Sequence, residues 1–235
     1  MSPISATPIV SIRNLTFAYG REAPVLSIES LTVQAGEKVF IHGPSGSGKT
    51  TLLGLLAGVL APQIGVIQIL GQEFSKLSAS RRDRFRGAHL GYIFQMFNLI
   101  PYLNVRDNIL LSHDLNARRD RKLSHQARAA RVSELAQELG IDTLLDRTVT
   151  KLSVGQQQRV AAARALLGSP EIIIADEPTS ALDYDYREKF IHLLFTECNK
   201  AGTTVLFVSH DRQLEPLFDR CISLTEINQA ATRAK

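Results

Sequence analysis

Two periods share this chain. Residues 9–19 and 25–33 alternate apolar and polar side chains, the period of a half-buried strand. Gly20 and Gly36 follow them as turn residues, so two antiparallel strands are predicted. Residues 38–42, 90–94 and 171–176 are short apolar runs, the signature of strands covered on both faces. Further strands are predicted at 65–71, between two glycines, and at 203–209 and 221–224. Helical spacing predicts helices at 51–57, 105–111, 124–139, 156–167 and 183–200, and a short, very basic one at 78–86. Ser78, Asn104 and Ser124 are cap candidates and Gly140 a stop. Parallel strands need helical crossovers, so the order predicts an α/β core. A helical stretch at 96–167 interrupts it. No repeat or low-complexity segment is found, and residues 229–235 are expected to fray.

A length of 235 residues suits one domain of this kind: a core at about 9–95 and 168–226, with a helical subdomain inserted at about 96–167. A net charge of +4 does not by itself call for nucleic acid. Two basic runs stand out, Arg81 to Arg86 and Arg118 to Lys122, the latter followed by Arg128 and Arg131. Both read as solvated helix faces, the alternative being contact with anionic lipid headgroups or nucleic acid. Cys198 and Cys221 stand alone and form no metal or disulfide pattern, as in a cytosolic protein. The N-terminal residues do not read as a signal peptide, and the apolar stretch 52–61 is too short to cross a bilayer. A membrane role would therefore run through a partner.

The most informative segment is Gly43-Pro44-Ser45-Gly46-Ser47-Gly48-Lys49-Thr50, followed by Thr51. It fits G-x-x-x-x-G-K-[ST] between a predicted strand and a predicted helix. Glycines let successive N–H groups turn around a phosphate chain, and the helix start adds its positive dipole end. Lys49 supplies a cation for the β- and γ-phosphates, and the Thr50 hydroxyl a ligand for Mg²⁺. Downstream, the apolar strand Ile172-Ile173-Ile174-Ala175 ends in Asp176 and Glu177. Ligands bind at such strand ends in open α/β sheets. Asp176 is placed to coordinate Mg²⁺, and Glu177 to polarise a water for attack on the γ-phosphate. Leu152-Ser153-Val154-Gly155-Gln156 opens a long helix with a hydroxyl and a bare N–H, a second anion site. A single chain would not need two; a dimer closing each other's sites would.

In their order, these segments resemble the nucleotide-binding subunit of an ATP-binding cassette (ABC) transporter. The resemblance covers residues 9–224 and implies a P-loop ATPase core with an N-terminal antiparallel β-subdomain and an inserted helical subdomain. It makes residues 43–50 the Walker A loop, Ser153, Val154, Gly155 and Gln156 the signature facing the opposing nucleotide, and 172–176 Walker B. It implies that Glu177 is catalytic, that Gln95 touches Mg²⁺ and the attacking water, and that His210 donates to the γ-phosphate. Tyr19 would stack on adenine, and Asp183 would couple the two sites of a dimer. ATP and Mg²⁺ are the implied cofactors.

Residues 94–101, 105–109 and 156–161 further resemble the ATPases of lipoprotein release, macrolide efflux and a cell-division pair. That group implies a membrane-spanning partner with a large extracytoplasmic domain, worked mechanically by ATP-driven dimer closure. The chain would then sit in the cytoplasm, on the inner face of the plasma membrane. Phe97, Leu99, Ile100, Tyr102 and Leu103 form an apolar loop that either receives a partner's short helix or fills the insert's own core. Val154 stands where the family's signature has glycine; valine disfavours positive φ and adds bulk beside the opposing nucleotide, but Ser153 and Gly155 remain, so the site is expected to work, at full or reduced rate. Two rival readings are a soluble ABC ATPase acting on nucleic acid or the ribosome, and a non-hydrolysing ATP sensor.

Overall fold

In a computed structural model the chain is described for residues 7–114 and 125–232. It divides into two compact units, Met1–Asp83 with Leu206–Lys235, and Arg84–Val205.

In the first unit β1 (Val10–Phe17) lies between β2 (Leu26–Val33) and β4 (Ile64–Ile69), antiparallel to both. The short β5 (Gln72–Glu73) extends the sheet beyond β4. Val10, Ile12, Leu15, Leu26, Ile28, Ile67 and Ile69 are buried. Ile12 and Leu15 stand three apart, and a register shift between Arg13 and Thr16, with Asn14 at φ 48°, buries both where strict alternation would separate them. β3 (Lys38–His42) pairs in parallel with β9 (Arg220–Ser223), Phe40 opposite Cys221. Phe40, Phe207 and Phe218 form an aromatic cluster with centroids 5.1–6.2 Å apart. α1 (Lys49–Leu56) follows β3 and buries Leu52, Leu53, Leu55 and Leu56. α2 (Ala79–His89) carries the chain toward the second unit. Arg82 in it donates to Gly58 O at 3.0 Å and Leu77 O at 2.6 Å, so this member of the basic run is a structural anchor.

In the second unit β6 (Leu90–Ile93) pairs in parallel with β7 (Ile172–Asp176). Around them are α3 (Val105–Asp114), α4 (His125–Glu138), α5 (Val154–Leu166) and α6 (Tyr184–Ala201). α5 is central: it touches α3, α4, α6 and β6. Its run of alanines explains this, because small side chains allow close approach. Gly91 on β6 sits against the Ala165 carbonyl, where a Cβ would collide with backbone. Asn104 caps α3 by accepting from Asp107 N at 2.8 Å. Gly140 ends α4 at φ 63°. β8 (Thr204–Val208), buried throughout, returns the chain to the first unit, and α7 (Leu224–Ile227) follows β9. Leu224, expected at a strand's end, instead opens this single helical turn. Ser124 and the basic residues 118–122 lie outside the described residues. Arg131 pairs with Glu134 at 2.7 Å, as on a solvated helix face.

Candidate functional site

The first unit carries the phosphate-loop sequence. β3 ends at His42, and residues 43–48 turn the chain into α1. Ser47 N–H donates to Pro44 O at 3.2 Å, tightening the turn. Gly48 is the N-cap of α1 at φ 98°, and a Cβ there would lie 2.7 Å from Leu26 Cδ2, so both backbone and space demand glycine. The Lys49 ammonium folds back over the loop, donating to Gly43 O at 2.7 Å and Pro44 O at 3.0 Å. Pro44, Ser45, Gly46 and Thr50 are exposed, while Gly43, Ser47 and Gly48 are buried. The first turn of α1 holds no acid, so its positive dipole end is uncompensated by side chains. The result is a ring of main chain enclosing a cation at a helix start, a shape suited to anionic phosphates.

Two more candidates belong to this unit. Tyr19 lies in the turn after β1 rather than on it, 46% exposed, its ring edge-on to Phe17 at 5.0 Å. Its hydroxyl lies 3.2 Å from Thr51 Oγ1, so Tyr19 and Thr51 are brought together. His210 follows β8 and is exposed. Its neighbour Ser209 donates from N to Ile41 O at 3.2 Å, tying it to the strand that feeds the loop.

The second unit carries the acids and the serine motif. Asp176 closes β7, half-buried, and Glu177 follows it at φ 46°. A non-glycine residue in the left-handed region costs about 1 kcal/mol, and surrounding bonds must hold it there. Ser180 N donates to Glu177 O at 3.1 Å, and the buried Gln158 donates to Pro178 O at 2.7 Å. Burial, reinforced by the Asp176 carboxylate, raises the Tyr92 phenol above its usual range and keeps it neutral.

Ser153 and Gln156 form a capping box at the start of α5, with bonds of 3.3 and 3.0 Å. Val154 is 45% exposed and is not among the residues of positive φ. The expected backbone penalty of valine is therefore absent, and only its bulk distinguishes it from glycine. Gly155 faces Leu182, whose Cδ2 would lie 3.7 Å from an added Cβ. Asp183 is exposed at the N-cap of α6 and makes no side-chain cap bond.

Gln95 is exposed in the loop after β6. Phe97 and Asn98 both have positive φ, 58° and 48°. Arg164, 8% exposed in α5, holds them: its guanidinium donates to Phe97 O at 2.5 Å and Asn98 O at 2.6 Å. Burial lowers its pKa. Of the apolar loop residues, Phe97 is buried, Leu99, Ile100 and Leu103 are half-buried, and Tyr102 is 81% exposed. Met96 beside them is also 81% exposed. The fully buried Asn108 carboxamide fastens this loop, accepting from Ile100 N at 2.7 Å and donating to Ile100 O at 3.1 Å. Gln158 and Arg164 were not singled out by their sequence pattern. Arg164 had a signal, a charged residue inside an apolar helical run, which must find a buried partner; Gln158 sits among Gln156, Gln157 and Arg159 and had none.

Comparison with known proteins gives this arrangement its relatives. Residues 26–180 match the family described as ABC transporter. The chain is 38% identical over 222 residues to an uncharacterized ABC transporter ATP-binding protein, YbbA, of Escherichia coli K12, covering 93% of this chain and 95% of that one. It is 37% identical over 207 residues to the lipoprotein-releasing system ATP-binding protein LolD 2 of Rhodospirillum rubrum, covering 87% and 88%. Among solved structures, the dimeric post-hydrolysis state of the ATP-binding cassette MJ0796 bound to ADP and phosphate superposes with a TM-score of 0.81. That match has 34% identity and covers 94% of this chain and 95% of the other.

Proposed function

The chain belongs to the ABC transporter family, as an ATP-hydrolysing ATP-binding subunit, and from that premise we propose how it works. Two copies close on two ATP molecules, and hydrolysis lets them part. The bound γ-phosphate supplies the differential affinity for the closed state. The observation that carries this reading is the loop 43–50, wrapped around Lys49 at the start of α1.

The roles follow from residue chemistry and motif order. Residues 43–51 hold the phosphates, and Tyr19 offers its exposed ring to the base. Ser153, Val154, Gly155 and Gln156 meet the partner copy's nucleotide. Glu177 orients the attacking water, His210 donates to the γ-phosphate, and Asp183 couples the two sites. The hydroxyl of Thr50, the carboxylate of Asp176 and the amide of Gln95 are hard oxygen donors, the set Mg²⁺ takes together with substrate phosphates. When bound, the ion neutralises charge on the phosphates. The chain works as one ABC ATPase domain, with residues 96–167 as the helical part addressed by a partner.

That partner is a membrane-spanning permease, carrying a large extracytoplasmic domain as in the lipoprotein-release and macrolide-export systems. The match to LolD 2, named for lipoprotein release, supports this group. The chain attaches through this partner at the inner face of the plasma membrane; among the described residues no helix is long and apolar enough to cross a membrane.

Glu177→Gln tests the reading. It should abolish steady hydrolysis while retaining ATP, and light scattering should show a dimer with MgATP. Normal turnover by this variant would remove Glu177 from the role given to it.

A further inference from the structure

Asn228 lies at the C-terminal end of α7, far in sequence from the phosphate loop and only 2% exposed. Its carboxamide uses its whole bonding capacity. Oδ1 accepts from Ser27 N at 2.8 Å and from Ala230 N at 3.1 Å. Nδ2 donates to Val25 O at 2.9 Å and to Ser47 O at 3.2 Å. Two lone pairs and two N–H groups are all an asparagine side chain offers. One residue thus joins the segment that leads into β2, the phosphate loop and the C-terminal segment. Its main chain adds a bridge to Ile28 of β2.

The bond to Ser47 O has a directional consequence. Ser47 C=O and Gly48 N–H belong to one trans peptide, so they point to opposite sides of it. Holding the carbonyl on the side of β2 and the C-terminus turns the Gly48 N–H toward the other. Gly48 is the N-cap of α1, where N–H groups converge on an anion. We propose that Asn228 is a positioning residue of the phosphate loop: by fixing the 47–48 peptide it aims the Gly48 N–H at a nucleotide phosphate. This rests on reading residues 43–50 as the phosphate holder. The left-handed conformation of Gly48, φ 98°, leaves that peptide free to flip in the absence of such a grip.

The test measures equilibrium affinity for MgATP and for magnesium tripolyphosphate, which has the phosphates without the base. The variants are Asn228→Asp, which keeps both accepting bonds and loses both donating ones, Asn228→Ala, and Lys49→Ala. Both Asn228 variants should bind the two probes about tenfold more weakly, by the same factor for each, as expected for about 1.4 kcal/mol. A purely structural asparagine would lower the melting temperature and leave both affinities within twofold of wild type; that result overturns the proposal. If those variants bind normally while Lys49→Ala is weakened, the proposal alone falls. If Lys49→Ala also binds normally, the reading of the loop falls with it. Should the Asn228 variants not fold, the amide signals of wild type decide. Nucleotide should move the Gly48 resonance, with the Asn228 side-chain protons protected from exchange. A stationary Gly48 signal, or freely exchanging Asn228 protons, overturns the proposal.

Discussion

Arg164 offers a sharp test of how the second unit holds its loops. The substitution Arg164→Met keeps an unbranched apolar stem and removes every donor. The bonds at 2.5 Å to Phe97 O and 2.6 Å to Asn98 O, both from a residue 8% exposed, are lost. Hydrogen bonds from a charged group contribute about 1.5–3 kcal/mol each. Against this stands the cost of burying the guanidinium, visible in its lowered pKa and removed by methionine. Two orphaned carbonyls in consecutive left-handed residues leave a net loss of about 3 kcal/mol. For a chain of this size that lowers the melting temperature by about 6–12 °C. Arg164→Lys should fall between, because a single ammonium cannot span both carbonyls as a planar fork does. Calorimetry reads the stability, and limited proteolysis after Phe94 or Met96 reads the loop. A fall of less than about 2 °C, with the loop no more easily cut, would refute the clamp.

Other outcomes follow from the same geometry. Val154→Gly removes exposed bulk beside Ser153 without changing backbone strain, so phosphate release should rise about twofold, the effect of roughly 0.4 kcal/mol on a barrier; unchanged or lower activity counts against a steric role. Burial first, then the bond to Glu215, push the Cys221 thiol up to about 11. The neutral thiol therefore dominates below that pH, and alkylation followed by mass spectrometry should climb about tenfold per pH unit from 8 to 10. A plateau by pH 9 would contradict the shift.

Much of this was legible beforehand because it depends on local pattern. Residues 38–42 and 171–176 read as buried strands since nothing polar interrupts Val39-Phe40-Ile41 or Ile172-Ile173-Ile174-Ala175, and β3 and β7 occupy those places. Residues 43–50 were legible because glycine spacing and lysine chemistry are both local. What escaped was long-range. Arg164 and Gln158 reveal their purpose only when α5 lies beside residues 97–98 and 178. Asn228 stands 181 residues from Ser47, in a segment whose sequence suggested a frayed tail from the next residue on. The expectation for Val154 failed in one part because a capping box places Ser153, not Val154, at the helix boundary, so Val154 needs no unusual φ.

In the function proposed above, loop 43–50 grips a triphosphate through Lys49 and its cleavage follows. Continuous measurement of inorganic phosphate from MgATP tests it most directly, with wild type beside Lys49→Ala. Wild type should release phosphate steadily and the variant only at background. Equal rates from the two proteins, or none from wild type with its membrane partner present, would contradict it.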